Sequence, residues 1–370
     1  MQQVRLRWSE LAASLVIAGM VFCGVVLGQE VAPWEASNPI VPIPDPPLGI
    51  GTEKNGPAKL TEFPDPPTPE RVRLGRWLFF DKRLSDDDTI SCATCHRPEN
   101  AFSEPTPVST GIGGQKGGRK APSFINQAWT SLPHFFWDGR AASLEEQAGG
   151  PMINPIEMGN RDHEVVVAKI AAIQSYPKYF KEAFGTEEVT IARITKAIAD
   201  YERTRMSGNS AWDRYRAGDR NAVSDEVKKG HQLFFGNAFC IDCHLGQNLT
   251  DSKFHNLGVG WDPETETFAD EGRYAVTKEE ADKGAFKTPS LRDVSKRAPY
   301  MHDGSIQTLR EVVKLYSKGG EPNPHLSRKI DRRFAEQLDF TEEQIIVLIR
   351  FMEALDGEGY QDTAPTAFPQ

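Results

Sequence analysis

Apolar residues recur at helical spacing in several well-marked stretches of the chain. One opens at Thr68-Pro69, a capping residue followed by proline at the first helical position, and Val72, Leu74, Trp77 and Leu78 supply its apolar face. Another runs through Ile191, Ile194, Ile198 and Tyr201. A later one begins at Thr341, where Gln344 completes a capping box; Ile345, Leu348, Ile349, Met352 and Leu355 follow, and Gly357 stops it. Leu309, Val312, Val313 and Tyr316 form a shorter stripe. Strand-like alternation is scarce, and long loops bearing glycine and proline separate the helices. The pattern predicts a mainly α fold organised around large bound groups rather than one continuous core. From Pro33 to Pro69 prolines are frequent and apolar periodicity is absent, which predicts an extended, semi-rigid linker rather than a packed element.

The chain also repeats itself. Gly75-x-x-Leu78-Phe79-Phe80 precedes one Cys-x-x-Cys-His motif, and Gly230-x-x-Leu233-Phe234-Phe235 precedes a second. After each comes a matching segment, Lys120-Ala-Pro-Ser123 and then Lys287-Thr-Pro-Ser290. Each of these leads to an Asp-Gly turn, at Asp138-Gly139 and at Asp303-Gly304. Ordered matches at a domain-sized period argue for duplication. The expected organisation is a leader at 1–28, a proline-rich linker or extension at 29–67, haem-sized domains at 68–206 and 207–360, and a tail at 361–370. The last helix is a candidate to pack back on the first domain.

Composition changes this picture little. Charged residues are 26% and hydrophobic ones 39% of the chain, as in soluble globular proteins. A net charge of −9 gives no reason to expect nucleic acid as a partner and would favour a basic protein. The N-terminus says more. Arg5 and Arg7 precede an uncharged apolar run from Leu11 to Leu27, the form of a secretory signal with cleavage after Gly28. An uncleaved membrane anchor is the rival reading. Either way the remainder is expected outside the cytoplasm, in a periplasm.

Cys92-Ala-Thr-Cys95-His96 and Cys240-Ile-Asp-Cys243-His244 carry the chemistry. Two thiols at this spacing can bond both vinyl groups of one haem, and the adjacent histidine is placed to ligate the iron. A shared zinc cluster would need both motifs to converge on one ion, whereas duplication puts one in each half. The other axial position decides between electron transfer and catalysis. His134, His163, His231, His255, His302, Met301 and Tyr316 are candidates to fill it. Tyr316 also fits a core tyrosine on its helical stripe, Glu157 a surface carboxylate, and Trp137 a core or interface aromatic.

Together with the haem motifs, Phe136-Trp137-Asp138-Gly139-Arg140, Pro155-Ile-Glu157-Met158-Gly159 and Ala298-Pro299-Tyr300-Met301-His302-Asp303-Gly304 resemble the bacterial di-haem cytochrome c peroxidases. The MauG-type enzymes, which oxidise a partner protein, belong to the same superfamily. The resemblance spans about Pro69 to Gly357. It implies two covalently bound haem c groups, with proximal His96 at a peroxide-reacting centre and proximal His244 at an electron reservoir. It implies that Trp137 links the haems, that Glu157 moves protons during O–O cleavage, and that Gln147 and Pro151 line the same pocket.

Two departures bear on mechanism. The glycine-rich loop before Lys120 contains Ile112 and no histidine, so the resemblance implies an open site at the first haem without prior activation. Where the activated peroxidases supply methionine to the second haem, this chain has Tyr316, the MauG-type ligand. A hard anionic donor favours ferric and higher states. Family members bind calcium between the domains, but Lys120 and Arg297 fall at the expected ligand positions and make that ion doubtful here. The implied function is peroxide reduction at the first haem, with oxidising equivalents passing through Trp137 to a Tyr-ligated second haem. The electrons would come from a small cytochrome c or cupredoxin, or from Trp or Tyr side chains of a partner protein. A di-haem electron carrier without turnover is the alternative.

Overall fold

Thr68 begins the first long helix as its sequence requires, its side chain accepting from Arg71 N at 3.3 Å, and the helix runs Pro69–Phe80. Val72, Leu74, Trp77, Leu78, Phe79 and Phe80 are buried along it. The structure, a computed structural model, describes residues 31–53, 56–130, 132, 134–330 and 338–370. The expected leader at 1–28 lies outside the described residues. Pro33–Gln370 form one compact unit, and that unit contains two large hydrophobic cores, one for each expected half. Trp77, Phe79, Phe102, Tyr176, Phe180, Ile194 and Tyr201 are among the first. Trp212, Phe234, Leu309, Val313, Leu348 and Phe351 are among the second. Fully burying one such side chain stabilises the fold by roughly 1.5–3 kcal/mol.

Duplication is visible in the packing. In the first half the Pro69–Phe80 helix lies on the Ile191–Arg203 helix. In the second, Asp225–Phe234 lies on Glu342–Glu353. Gly75 and Gly230, matched in the repeat, make both contacts possible. A Cβ on Gly75 would overlap the Ala197 carbonyl oxygen, and one on Gly230 the Val347 carbonyl oxygen. The turns repeat as well. Phe136 and Met301 have φ of 66° and 72°, and isolated bridges close the same loop at Phe135–Ala141 and Tyr300–Ile306. Strands are few and short. Phe254–Asn256 pairs antiparallel with Ala285–Lys287, and Trp261–Asp262 with Thr267–Phe268.

Several expectations are corrected. The proline-rich stretch is packed, not a free linker: it holds a short helix at Pro33–Ser37, and Leu60 and Ile50 are buried against Trp129 and Met206. Trp34 Nε1 donates to Tyr179 Oη at 2.5 Å. The last helix ends at Glu353, short of Gly357, and packs on its own half rather than on the first. The residues beyond it make the return. Asp362 pairs with Arg76 at 2.8 Å and with Arg205 at 3.2 Å, and the Gln370 carbonyl accepts from Ser175 N at 2.9 Å. The tail is thus a strap on the first half. Gly357 serves close approach, since a Cβ there would meet Ser207 and Gly208.

Candidate active site: two cavities joined at a tryptophan

Each Cys-x-x-Cys-His motif sits on a tight turn that aims its residues into a cavity. Cys92–Cys95 is one helical turn, and Cys240–Asp242 one 3₁₀ turn. In both, the histidine N–H donates to the first cysteine's carbonyl at 2.9 Å. The first cavity, about 470 Å³, is lined by Cys92, Cys95 and His96. The second, about 190 Å³, is lined by Cys240, Cys243 and His244. The motifs therefore do not converge on one ion.

The two histidines are prepared alike. His96 Nδ1 donates to the Phe102 carbonyl at 3.0 Å, and His244 Nδ1 to the Leu249 carbonyl at 2.9 Å. That bond fixes the tautomer and leaves the Nε2 lone pair for a metal. Burial lowers both histidines' pKa, which keeps them neutral and able to ligate. The thiols are unpaired with one another, and burial pushes Cys95 up to about 11 and Cys240 up to about 12. Cys95 and Cys240 are protonated thiols, and each motif sets its two thiols beside a neutral imidazole, a donor set that fits a haem c in each cavity. Cys92, Cys95 and His96 would hold one, and Cys240, Cys243 and His244 the other.

Beyond these shared parts the cavities differ. Glu157, Gln147 and Pro151 line only the first. Ser143 caps the Leu144–Ile153 helix that carries Gln147 and Pro151, and the proline ring removes the helical bond to the Gln147 carbonyl. Asn154 Nδ2 donates to Glu157 Oε1 at 2.9 Å. Burial raises the Glu157 pKa, while Arg140 and the Asn154 bond oppose it. Ile112 does not line the cavity; it packs on Gly159, and its N–H donates to the Glu157 carbonyl at 3.0 Å. Ile112 thus braces the backbone of Glu157 from behind the wall, while Gly111 and Gly117 of the same loop line the cavity.

Tyr316, at the end of the Leu309–Ser317 helix, lines the second cavity with Leu309, Val312 and Val313, and burial raises its pKa. His255, His302 and Met301 line this cavity too. His302 is stacked 3.6 Å from Phe286, and burial lowers it to about 4. His255 bonds Asp251 at 2.9 Å; burial works against its charge, but the carboxylate together with the Cys243 sulfur prevails and raises it to about 9. His134, His163 and His231 line neither cavity. His163 Nε2 donates to the Gly149 carbonyl at 3.0 Å, and His231 packs 4.2 Å from Trp212.

Trp137 lines both cavities. Its Nε1 donates to the Lys120 carbonyl at 2.8 Å, and its own carbonyl accepts from Lys287 N at 2.8 Å, so repeat segments from both halves hold it. Lys120 Nζ donates to the Glu104 carbonyl, and Arg297 Nη2 to the carbonyls of Ser290 and Arg292. Cations therefore take the positions where calcium ligands were in question. Sequence reading gave no role to Arg140, Asn154, Lys287 or Glu202, all of which line the first cavity. Asn154, three residues before Glu157, was the one with a local signal.

A duplicated helical fold with two such cavities sharing a wall that includes Trp137, Lys287 and Tyr300 defines a di-haem redox protein. Residues 69–221 match the family model of the di-haem cytochrome c peroxidases. The methylamine utilization protein MauG of Methylorubrum extorquens is 39% identical over 302 residues, covering 81% of this chain and 82% of that protein. The cytochrome c551 peroxidase of Nitrosomonas europaea is 34% identical over 304 residues, 82% of this chain and 85% of its own. The crystal structure of a MauG-like protein associated with microbial copper homeostasis superposes with a TM-score of 0.72 at 31% identity, over 86% of this chain and 99% of that one. The chain belongs to the di-haem cytochrome c peroxidase family, whose members are peroxidase-type oxidoreductases.

Proposed function

We propose that this chain reduces hydrogen peroxide in its first cavity and draws the electrons from a partner protein through its second. The observation that carries this reading is the asymmetry of two otherwise duplicated cavities, Glu157 in one and Tyr316 in the other, with Trp137 lining both. His96 and His244 would each hold a haem, which would supply peroxide reduction in the first cavity and storage of oxidising equivalents in the second.

Glu157 holds the proton in play. Asn154 fixes Oε1; Oε2 would take a proton from one oxygen of the peroxide and return it to the other, which would leave as water. Two electrons from the partner with two further protons would release the remaining oxygen as a second water. Arg140 beside it opposes the cost of burying the ionised carboxylate. Gln147 and Pro151 confine the substrate space. Trp137 carries electrons between the cavities, its indole N–H held by the Lys120 carbonyl. As the resemblance implies, Tyr316 would be the second protein ligand of a haem held at His244; of the other candidates in that cavity, His255 is ion-paired, His302 is stacked on Phe286, and Met301 is the neutral alternative. An anionic ligand there stabilises the oxidised states. The electron source is a small cytochrome c or cupredoxin, or a Trp or Tyr side chain of a partner protein, as in MauG-type enzymes. The site of action is a periplasm; among the described residues no helix is long and apolar enough to cross a membrane.

Trp137→Phe tests the link. Peroxide added to the ferric variant should still be consumed in a first turnover, while the second haem's spectrum no longer responds. A variant in which both haems respond at the wild-type rate refutes the role given to Trp137, and a wild-type protein inert to peroxide refutes the enzymatic reading in favour of a carrier.

A further inference from the structure

Lys120 and Arg297 are cations at the wall of the first cavity, and neither lines the second. Among the described residues neither has a carboxylate within ion-pair reach. Peptide carbonyls take their bonds: that of Glu104 for Lys120, and those of Ser290 and Arg292, at 2.6 and 2.5 Å, for Arg297. Arg297 Nε, shut off from solvent, has no partner. Burial lowers the pKa of both side chains, Lys120 to about 8.

Nearby carboxylates act on the two cations only at longer range, Glu104 on Lys120 and Asp293 and Asp356 on Arg297. Each bonds other groups, although Asp293 Oδ2 and Asp356 Oδ1 have no hydrogen-bond partner. Glu104 accepts from Ser109 Oγ at 2.6 Å and from Thr106 Oγ1 at 3.1 Å. Asp293 accepts from Gly357 N at 3.0 Å and Lys296 at 3.3 Å, and Asp356 from Ser295 Oγ at 2.5 Å. Lys287 on the same wall likewise bonds only a carbonyl, that of His134 at 2.7 Å, but two arginines there contrast with the pair. Arg119 pairs with Asp138 and Asp270, each at 2.6 Å, and Arg140 pairs with Asp138 at 2.8 Å. A desolvated cation whose direct bonds all go to neutral carbonyls is costly unless an anion comes into contact with it. Such a pair of cations is a receptor for a carboxylate that arrives with the ligand.

We infer that Lys120 and Arg297 bind a propionate of the haem in the first cavity and hold it next to Trp137, whose Nε1 bonds the Lys120 carbonyl. This rests on the di-haem reading above and adds the means by which the first haem is oriented and its charge balanced. Arg297, with one of its nitrogens unpartnered, supplies the fork; Lys120 supplies a point charge. The pair are positioning residues that touch the cofactor's edge. Positive charge there stabilises the reduced state of the first haem and has less effect on the second.

Arg297→Gln, Lys120→Met and the charge-preserving Arg297→Lys, made in the holoprotein, test this by spectroelectrochemistry and resonance Raman. Arg297→Gln and Lys120→Met should each shift the reduced-to-oxidised ratio of the first haem, at fixed potential, about tenfold towards oxidised, about 59 mV for a one-electron couple. The second haem should move far less, Arg297→Lys should stay near wild type, and the propionate-bending mode of the first haem should shift in both neutralised variants. If Arg297→Gln does not accumulate, Lys120→Met carries the test. Unchanged propionate modes, or equal shifts at both haems, overturn the proposal. A chain carrying fewer than two haems by pyridine haemochrome would refute the di-haem reading itself, a result distinct from an unmoved potential.

Discussion

Replacing Glu157 with Gln exchanges one carboxylate oxygen in the first cavity for an amide nitrogen and leaves the other contacts in place. The Asn154 bond to Oε1, 2.9 Å, survives because glutamine keeps a carbonyl oxygen there. The backbone bond from Ile112 to the Glu157 carbonyl is untouched. What disappears is the proton acceptor. General acid–base groups contribute about 10²–10⁴-fold, or about 2.7–5.4 kcal/mol at 1.36 kcal/mol per tenfold. Because the fold should be unperturbed, that whole range is assignable to proton movement, and a loss of about 10³ is expected. The assay is stopped-flow consumption of peroxide by the ferric holoprotein as a function of pH, with haem spectra as control. The ionised form accepts the proton, and burial raises the pKa of Glu157. The wild-type rate should therefore fall as pH drops through a value above that of an ordinary glutamate, whereas the variant should be slow and flat. Asn154→Ala removes a bond that lowers this pKa and should move the acid limb to higher pH. An E157Q protein within about threefold of wild type, keeping the acid limb, would falsify the role.

Other consequences can be checked separately. Tyr316→Met should raise the potential of the second haem and leave the first nearly unchanged, since methionine replaces an anionic donor; an unmoved second potential means the tyrosine is not the ligand. Gly75→Ala should lower stability by about 1–3 kcal/mol in denaturant titration, because the overlap with the Ala197 carbonyl outweighs the roughly 1 kcal/mol gained in helix propensity; an unchanged midpoint refutes the close contact. Glu202 lines the first cavity with Oε2 unpartnered, and burial raises its carboxyl to about 8. The folded state then binds the proton more tightly than the unfolded one, so stability is lost as pH rises from about 4.3 towards 8. Glu202→Gln should lack that loss, and parallel pH profiles of stability would count against it. With cations at Lys120 and Arg297, a calcium chelator should leave the holoprotein's haem spectra and turnover unchanged; a reversible loss restored by calcium contradicts this.

Features encoded locally were legible in the sequence. Thr68 and Thr341 each cap a helix through contacts three residues away, and the side-chain pattern after them states which face is buried. The repeat was legible because duplication preserved the glycines and turns that the packing demands, although the close approach of Gly75 and Gly230 needed the facing carbonyls to be seen. The segment at 33–67 was misread because it packs by single side chains, Trp34, Ile43, Ile50 and Leu60, which leave no period. The packing of the tail was not legible for the same reason: Asp362 is one residue, and its partners Arg76, Tyr201 and Arg205 are distant in sequence. At the site, the Cys-x-x-Cys-His spacings announced themselves. Among the remaining histidines the sequence could not choose. Stacking of His302 on Phe286 and pairing of His255 with Asp251 are tertiary facts. The unpartnered Nε of Arg297 and the unpartnered Oε2 of Glu202 likewise depend on what each side chain fails to meet.

The central claim is that two duplicated haem sites have become unequal, one open to peroxide and one closed by two protein ligands. Electron paramagnetic resonance of the resting ferric holoprotein tests it most directly. The account predicts one high-spin signal, from the first cavity with His96 as sole protein ligand, beside one low-spin signal from the second with His244 and Tyr316. Two low-spin signals of equal intensity would contradict it, since both irons would then be closed and the first cavity could not admit its substrate.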